Sequence, residues 1–140
     1  MDRKAEARWS GDLKSGKGSL KVGSGAFEGP FSFISRFEGS GDTNPEELIG
    51  AALAGCFTMA LSNKLAQAGT TPTQVHTTAT VKLEKGDAGL RISRIDLVTR
   101  GQVPGLAEEE FQRQAEDTKV NCIISRALAA VPMSVDAKLT

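Results

Sequence analysis

Residues 44–69 read NPEELIGAALAGCFTMALSNKLAQAG, and this stretch decides how the rest of the chain is parsed. Asn44 is a favourable N-cap, and Pro45 suits the first helical position. Glu47, three residues after the cap, completes a capping box. The pattern predicts a helix from Pro45 to about Ala68, stopped by Gly69. Ala51, Ala52, Ala54, Gly55 and Ala60 make this helix apolar on most sides and slender. Such a helix is normally buried, and its small residues let another helix pack close against it. Its most apolar part, Leu48 to Leu61, reads as too short and too rich in Ala and Gly to span a bilayer.

Upstream, residues 2–10 alternate in strand fashion with Ala5, Ala7 and Trp9 on one face. Gly11, Gly16 and Gly18 then mark a turn. Residues 18–22 and 30–37 predict short strands, the second with Phe31, Phe33, Ser35 and Phe37 on one face; Glu38 to Asp42 form a loop. Downstream, residues 73–84 and 90–100 alternate and join around Gly86 and Gly89 as a hairpin. Val75, Thr77, Ala79, Val81 and Leu83 line one arm, and Ile92, Ile95 and Leu97 the other. The phase slips near Ser93, as a bulge would make it do. Residues 107–120 predict a charged helix with Phe111 and Ala115 facing inward. A second stretch, 122–130, carries Ile123, Ala127 and Ala130 at helical spacing; Pro132 stops it, and 133–139 predicts a final strand. Strands, helix, strands, helices, strand is an α+β order with antiparallel pairing rather than a doubly wound sheet. The 140 residues predict one domain spanning 1–140.

Lys+Arg and Asp+Glu both number 17, so the formal net charge is zero. That argues against nucleic acid or an anionic membrane as a partner, and it leaves self-association open. The opening residues hold no apolar h-region of a signal peptide, so the expected location is cytoplasmic. In that compartment a cysteine pair leans toward catalysis, sensing or metal binding. The chain has two cysteines, Cys56 and Cys122, and one histidine, His76. These three scattered residues fall short of a closed zinc site, and no metal or other cofactor is expected. His76 lies in an alternating run and reads as an ordinary strand residue. Gly23-x-Gly25 lacks the third glycine and the following helix of a phosphate-binding loop. Composition alone reads both cysteines as small buried hydrophobes.

A longer match changes that reading. Residues 36–62, RFEGSGDTNPEELIGAALAGCFTMALS, closely resemble the OsmC family of osmotically inducible proteins, relatives of the organic hydroperoxide resistance proteins. So do ARWSGD at 7–12, TPT at 71–73, DAGL at 87–90, and the second cysteine followed by Ser125. The resemblance implies an OsmC-like fold, with strongly curved antiparallel sheets around long central helices in an intertwined homodimer. It implies a thiol-dependent peroxidase that reduces organic hydroperoxides and is recharged by a dithiol such as a lipoylated protein. Carried over by position, Cys56 is the peroxidatic cysteine, Cys122 the resolving one, Arg36 the activating arginine and Glu46 its carboxylate partner.

The chemistry suits those residue types. The thiolate is the form that attacks the O–O bond, and a free cysteine is mostly protonated at neutral pH. A guanidinium favours the thiolate and can bind peroxide oxygens. The product sulfenic acid needs a second thiol before over-oxidation becomes irreversible. With Glu47 engaged in the capping box, Glu46 is left either to complement the helix dipole or to orient Arg36. Glu46 and Cys56 are ten residues apart on one helix, roughly 15 Å along its axis. Glu46 therefore reaches a site at Cys56 only if it comes from a second chain. Two departures from the family stand out: Asn121-Cys122-Ile123 replaces Gly-Cys-Pro, and Leu53 occupies a position where histidine is frequent. A non-catalytic protein that binds a stress ligand or senses peroxide through the same pocket is the competing class, and inert buried cysteines are a third.

Overall fold

In the computed structural model, which describes residues 1–39 and 41–140, the chain forms two compact units, Met1–Leu48 and Ile49–Thr140. Of the expected loop at 38–42, Ser40 lies outside the described residues.

The first unit holds an antiparallel meander of β1 (Ala5–Ser10), β2 (Lys17–Val22) and β3 (Glu28–Ser32). Its register puts Ala7 opposite Leu20, Trp9 opposite Gly18, and Gly18 opposite Phe31. Period-2 alternation then gathers Ala7, Trp9, Leu20 and Phe31 on one face and Glu6, Arg8, Lys21 and Glu28 on the other. The Trp9 and Phe31 rings sit 5.3 Å apart across Gly18, where a Cβ would come within 2.3 Å of Phe31. Only glycine leaves room there for the two rings.

The strand expected over 30–37 ends at Ser32, and Phe33–Phe37 form a short helix, α1. Local hydrogen bonding wins over the alternating pattern. The Ser32 hydroxyl accepts from the Ser35 N–H, and the Ser35 hydroxyl accepts from the Ser32 N–H, which makes a reciprocal capping box. Phe33 and Phe37, which a strand would place on one face, are also one helical turn apart, and their rings meet at 4.9 Å.

Helix α2 spans Pro45–Gln67. Asn44 Oδ1 accepts from the Glu47 N–H, as an N-cap should. The Glu47 carboxylate takes a hydrogen bond from the Thr43 hydroxyl, so the return arm of the expected capping box goes to Thr43 instead. The helix ends in a Schellman motif: Thr70 N–H donates to the Leu65 carbonyl, Gly69 N–H to that of Ala66, and Gly69 has φ +85°. With 23 residues, α2 is long and apolar enough to cross a membrane by length and composition, although 28% of its most apolar window is buried within the chain.

The second unit continues with β4 (Gln74–Gly86), β5 (Gly89–Gln102), α3 (Glu108–Asn121), α4 (Ile123–Ala127) and β6 (Met133–Leu139). β4 and β5 form the expected hairpin. Lys82 pairs with Arg94 and Leu83 with Ile92, which leaves Ser93 as the extra residue of the bulge. The expectation of antiparallel pairing throughout fails at β6, which lies parallel to β5. Two strands running the same way need a long return path, and residues 103–132 supply it through α3 and α4.

The core lies in this unit. Leu53, Phe57, Leu61 and Leu65 come from α2 at spacings of four residues; Ile95 and Leu97 come from β5, Phe111 and Ala115 from α3, and Ala137 from β6. Phe111 and Ala115 face inward as their spacing predicts.

Glu110 on α3 has its carboxyl pulled from 4.5 down to about 2, first by the hydrogen bond from Arg113 and then by that from Gln114. A depressed carboxyl contributes stability above its unfolded value and loses it as pH falls through the folded one. We expect the Tm gap between the native chain and Glu110→Gln to be widest above about pH 4.5 and to close toward pH 2. A gap that stays constant across that window would refute the assignment.

Candidate active site

Arg36 occupies the last turn of α1, and Glu46 the first turn of α2. Arg36 Nε sits 3.2 Å from both Glu46 oxygens, and its Nη2 donates to Oε1 at 2.7 Å. This is a two-pronged grip that only a guanidinium provides. Glu46 is 8% exposed, while the arginine side chain remains 40% exposed and stacks 5.3 Å over the Phe37 ring. The pair therefore has a buried anionic anchor and an accessible cationic face. The Ser35 hydroxyl donates to the Thr43 carbonyl at 2.9 Å, tying α1 to the approach of α2. Asn44 Nδ2 adds a longer bond to the Ser35 carbonyl.

Cys56 lies ten residues beyond Glu46 on α2, about 15 Å further along the helix. It is a free thiol of intermediate exposure, packed against the core of the second unit. Phe57 and Met59, its near neighbours on α2, do not share a side of the helix. Phe57 is fully buried and Met59 is 76% exposed, as a separation of two residues on a helix dictates. Leu53 takes a core position in the same stripe.

Cys122 is also a free thiol, 4% exposed and part of that core. It sits at the break between α3 and α4, with ψ 147°. Its sulfur serves as the N-cap of α4, accepting from the Ser125 N–H at 3.4 Å and lying 3.0 Å from the Ser125 hydroxyl. Where the family has a proline after this cysteine, the chain has Ile123, and the turn into α4 carries this side-chain cap. His76 is an exposed residue of β4, as its strand reading implies.

Sequence reasoning missed the two serines that hold these groups. Ser35 was assigned to a strand, and Ser125 figured only in the family match. Ser32-x-x-Ser35 carries the signal of a capping residue followed three positions later by serine, whereas Cys122-x-x-Ser125 leaves only a weak trace because cysteine is not a favoured N-cap.

Comparison with known proteins gives this arrangement a context. Residues 38–136 match the family model described as OsmC-like protein. The chain is 47% identical over 131 residues to Peroxiredoxin OsmC of Escherichia coli, covering 93% of this chain and 92% of that one. This chain belongs to the OsmC family. The protein of the same name from Shigella flexneri matches to the same extent. Among solved structures, an organic hydroperoxide resistance protein from Elizabethkingia anophelis aligns at TM-score 0.76 and 22% identity, over 98% of this chain and 96% of its own. An OsmC-like protein of unknown function from Vibrio cholerae aligns at TM-score 0.78 and 15% identity, over 98% and 99%. At those identities the structural matches speak for the OsmC fold alone, and they agree with the mixed helix-and-sheet class read from the sequence.

Proposed function

We propose that this chain is a peroxiredoxin-like peroxidase of the cytoplasm that reduces organic hydroperoxides, acting as one domain over residues 1–140. The observation that carries the reading is a match of 47% identity across nearly the whole chain to a protein named Peroxiredoxin OsmC, in a molecule whose two thiols are both free and share one core. Cys56 attacks the peroxide oxygen and becomes a sulfenic acid, releasing an alcohol. Cys122 condenses with it, forming a disulfide and releasing water. A dithiol, such as a reduced lipoyl group, restores both thiols by exchange.

Arg36, oriented by Glu46, favours the thiolate and holds the peroxide. A helix is too stiff to bring Glu46 back to the cysteine of its own chain. In this proposal the Arg36–Glu46 pair of one chain serves Cys56 of a second, in a homodimer with two shared sites. Two surfaces support a second chain: Met59 projects from an apolar helix, and β1 is exposed along its whole length. The apolar surroundings of Cys56 favour bulky organic hydroperoxides over hydrogen peroxide.

Mass spectrometry after one equivalent of cumene hydroperoxide tests the reading. The expected product is a Cys56–Cys122 disulfide, two mass units below the reduced chain. A chain that stays fully reduced would overturn it in favour of a protein that binds its ligand without turnover.

A further inference from the structure

Ser125 is 3% exposed, and its hydroxyl lies 3.0 Å from the sulfur of Cys122, a residue itself 4% exposed. A serine at the third position of a helix has no need to face its cap residue through the side chain, because the backbone N–H already does so. Here both groups converge on Cys122 Sγ. A hydroxyl can accept from S–H and, by rotating, donate to a bare sulfur, so it can serve both protonation states without moving its oxygen. No Asp, Glu, Lys or Arg is among the hydrogen-bond partners of this sulfur; its two described partners both belong to Ser125.

We propose that Ser125 is a catalytic residue of the closing step, donating its hydroxyl hydrogen to Cys122 Sγ as that sulfur gives up its proton. The inference rests on the peroxidase reading for its setting and adds a role for a residue that reading leaves idle. In the step, the Cys122 S–H and the Cys56 S–O bonds break and the S–S bond forms. The Cys122 sulfur is oxidised, the Cys56 sulfur is reduced, and the thiol proton leaves with the hydroxyl group as water. Negative charge grows on Cys122 Sγ along this path. The Ser125 N–H is already aimed at that atom, and the Ser125 hydroxyl, 3.0 Å away, meets the growing charge by rotating its hydrogen toward the sulfur while its oxygen stays in place. The backbone donor survives any substitution of Ser125, so the side chain can be tested separately.

The experiment compares the native chain with Ser125→Ala and Ser125→Thr. Rapid quench after one equivalent of cumene hydroperoxide, with dimedone as the trap, follows sulfenic acid and disulfide separately. Ser125→Ala should accumulate sulfenic acid on Cys56 and close the disulfide roughly ten- to hundredfold more slowly than the native chain. Ser125→Thr, which keeps the hydroxyl, should recover most of the closing rate. Native closure in Ser125→Ala overturns the proposal, and so does equal slowing in both variants, since size and not the hydroxyl would then matter.

A second measurement needs no peroxidase activity. Cys56 is loaded as a mixed disulfide with thionitrobenzoate, and release of that yellow anion by Cys122 is timed. The same ranking of native, Thr and Ala is expected. If the native chain forms no sulfenic acid yet keeps this ranking, the peroxidase reading falls and the role of Ser125 at the sulfur stands. If all three release the anion equally, the role of Ser125 falls.

Discussion

Replacing Cys56 with serine should reduce hydroperoxide consumption to the rate without protein, a loss of about three orders of magnitude or more. A serine hydroxyl has nearly the size of the thiol but neither its acidity nor its soft nucleophilicity toward oxygen, so packing is kept while chemistry is lost. Cys56 is only partly buried, and the variant should unfold at nearly the native temperature. The same variant examines the sharing of sites. Mixed after co-refolding with Glu46→Gln, which is expected to be inactive as well, it should give heterodimers with one intact pairing of Glu46 from one chain and Cys56 from the other. Activity approaching a quarter of the native specific value is then expected for a statistical mixture. Recovery of none would refute sites built from two chains, and would leave the Cys56 result untouched.

The second large effect is on stability. Phe111 is fully buried at the junction of α3 with β5, and its ring lies over Gly101, where an added Cβ would come within 2.6 Å of it. Phe111→Ala removes the ring and opens a cavity that the flat glycine backbone below cannot fill. The expected loss is about 3–5 kcal/mol. For a chain of this size that lowers Tm by roughly 10 °C or more. A drop of a few degrees in thermal unfolding would mean that the cavity collapses.

The sequence exposed most of this fold because its strongest signals are local. Asn44, Pro45 and Gly69 bound α2 to within a residue or two, and the phase slip at Ser93 placed the bulge. Two features escaped because their causes are not in the pattern of apolar residues. Phe33 and Phe37 satisfy both the strand and the helix period, and the choice was made by two serine hydroxyls. The direction of β6 depends on the path of thirty intervening residues, which periodicity in β6 itself does not encode. At the site, the pairing of Arg36 with Glu46 came from resemblance, and the geometry supplied its two-pronged form. The cap on Cys122 came from the structure alone, since a sulfur acting as an N-cap leaves only a weak trace in the sequence.

The corner that holds Arg36 is assembled from a short run of chain, with Ser32, Ser35, Thr43, Asn44 and Glu46 its hydrogen-bonding members. Loops of about ten residues close in roughly 10–100 ns. The arginine can thus be gripped long before β6 has travelled through α3 and α4 to find β5, a pairing of high contact order and correspondingly slow formation. Damage to the core of the second unit, as at Phe111, should therefore delay the completion of the sheet while leaving the kinetics of this corner unchanged.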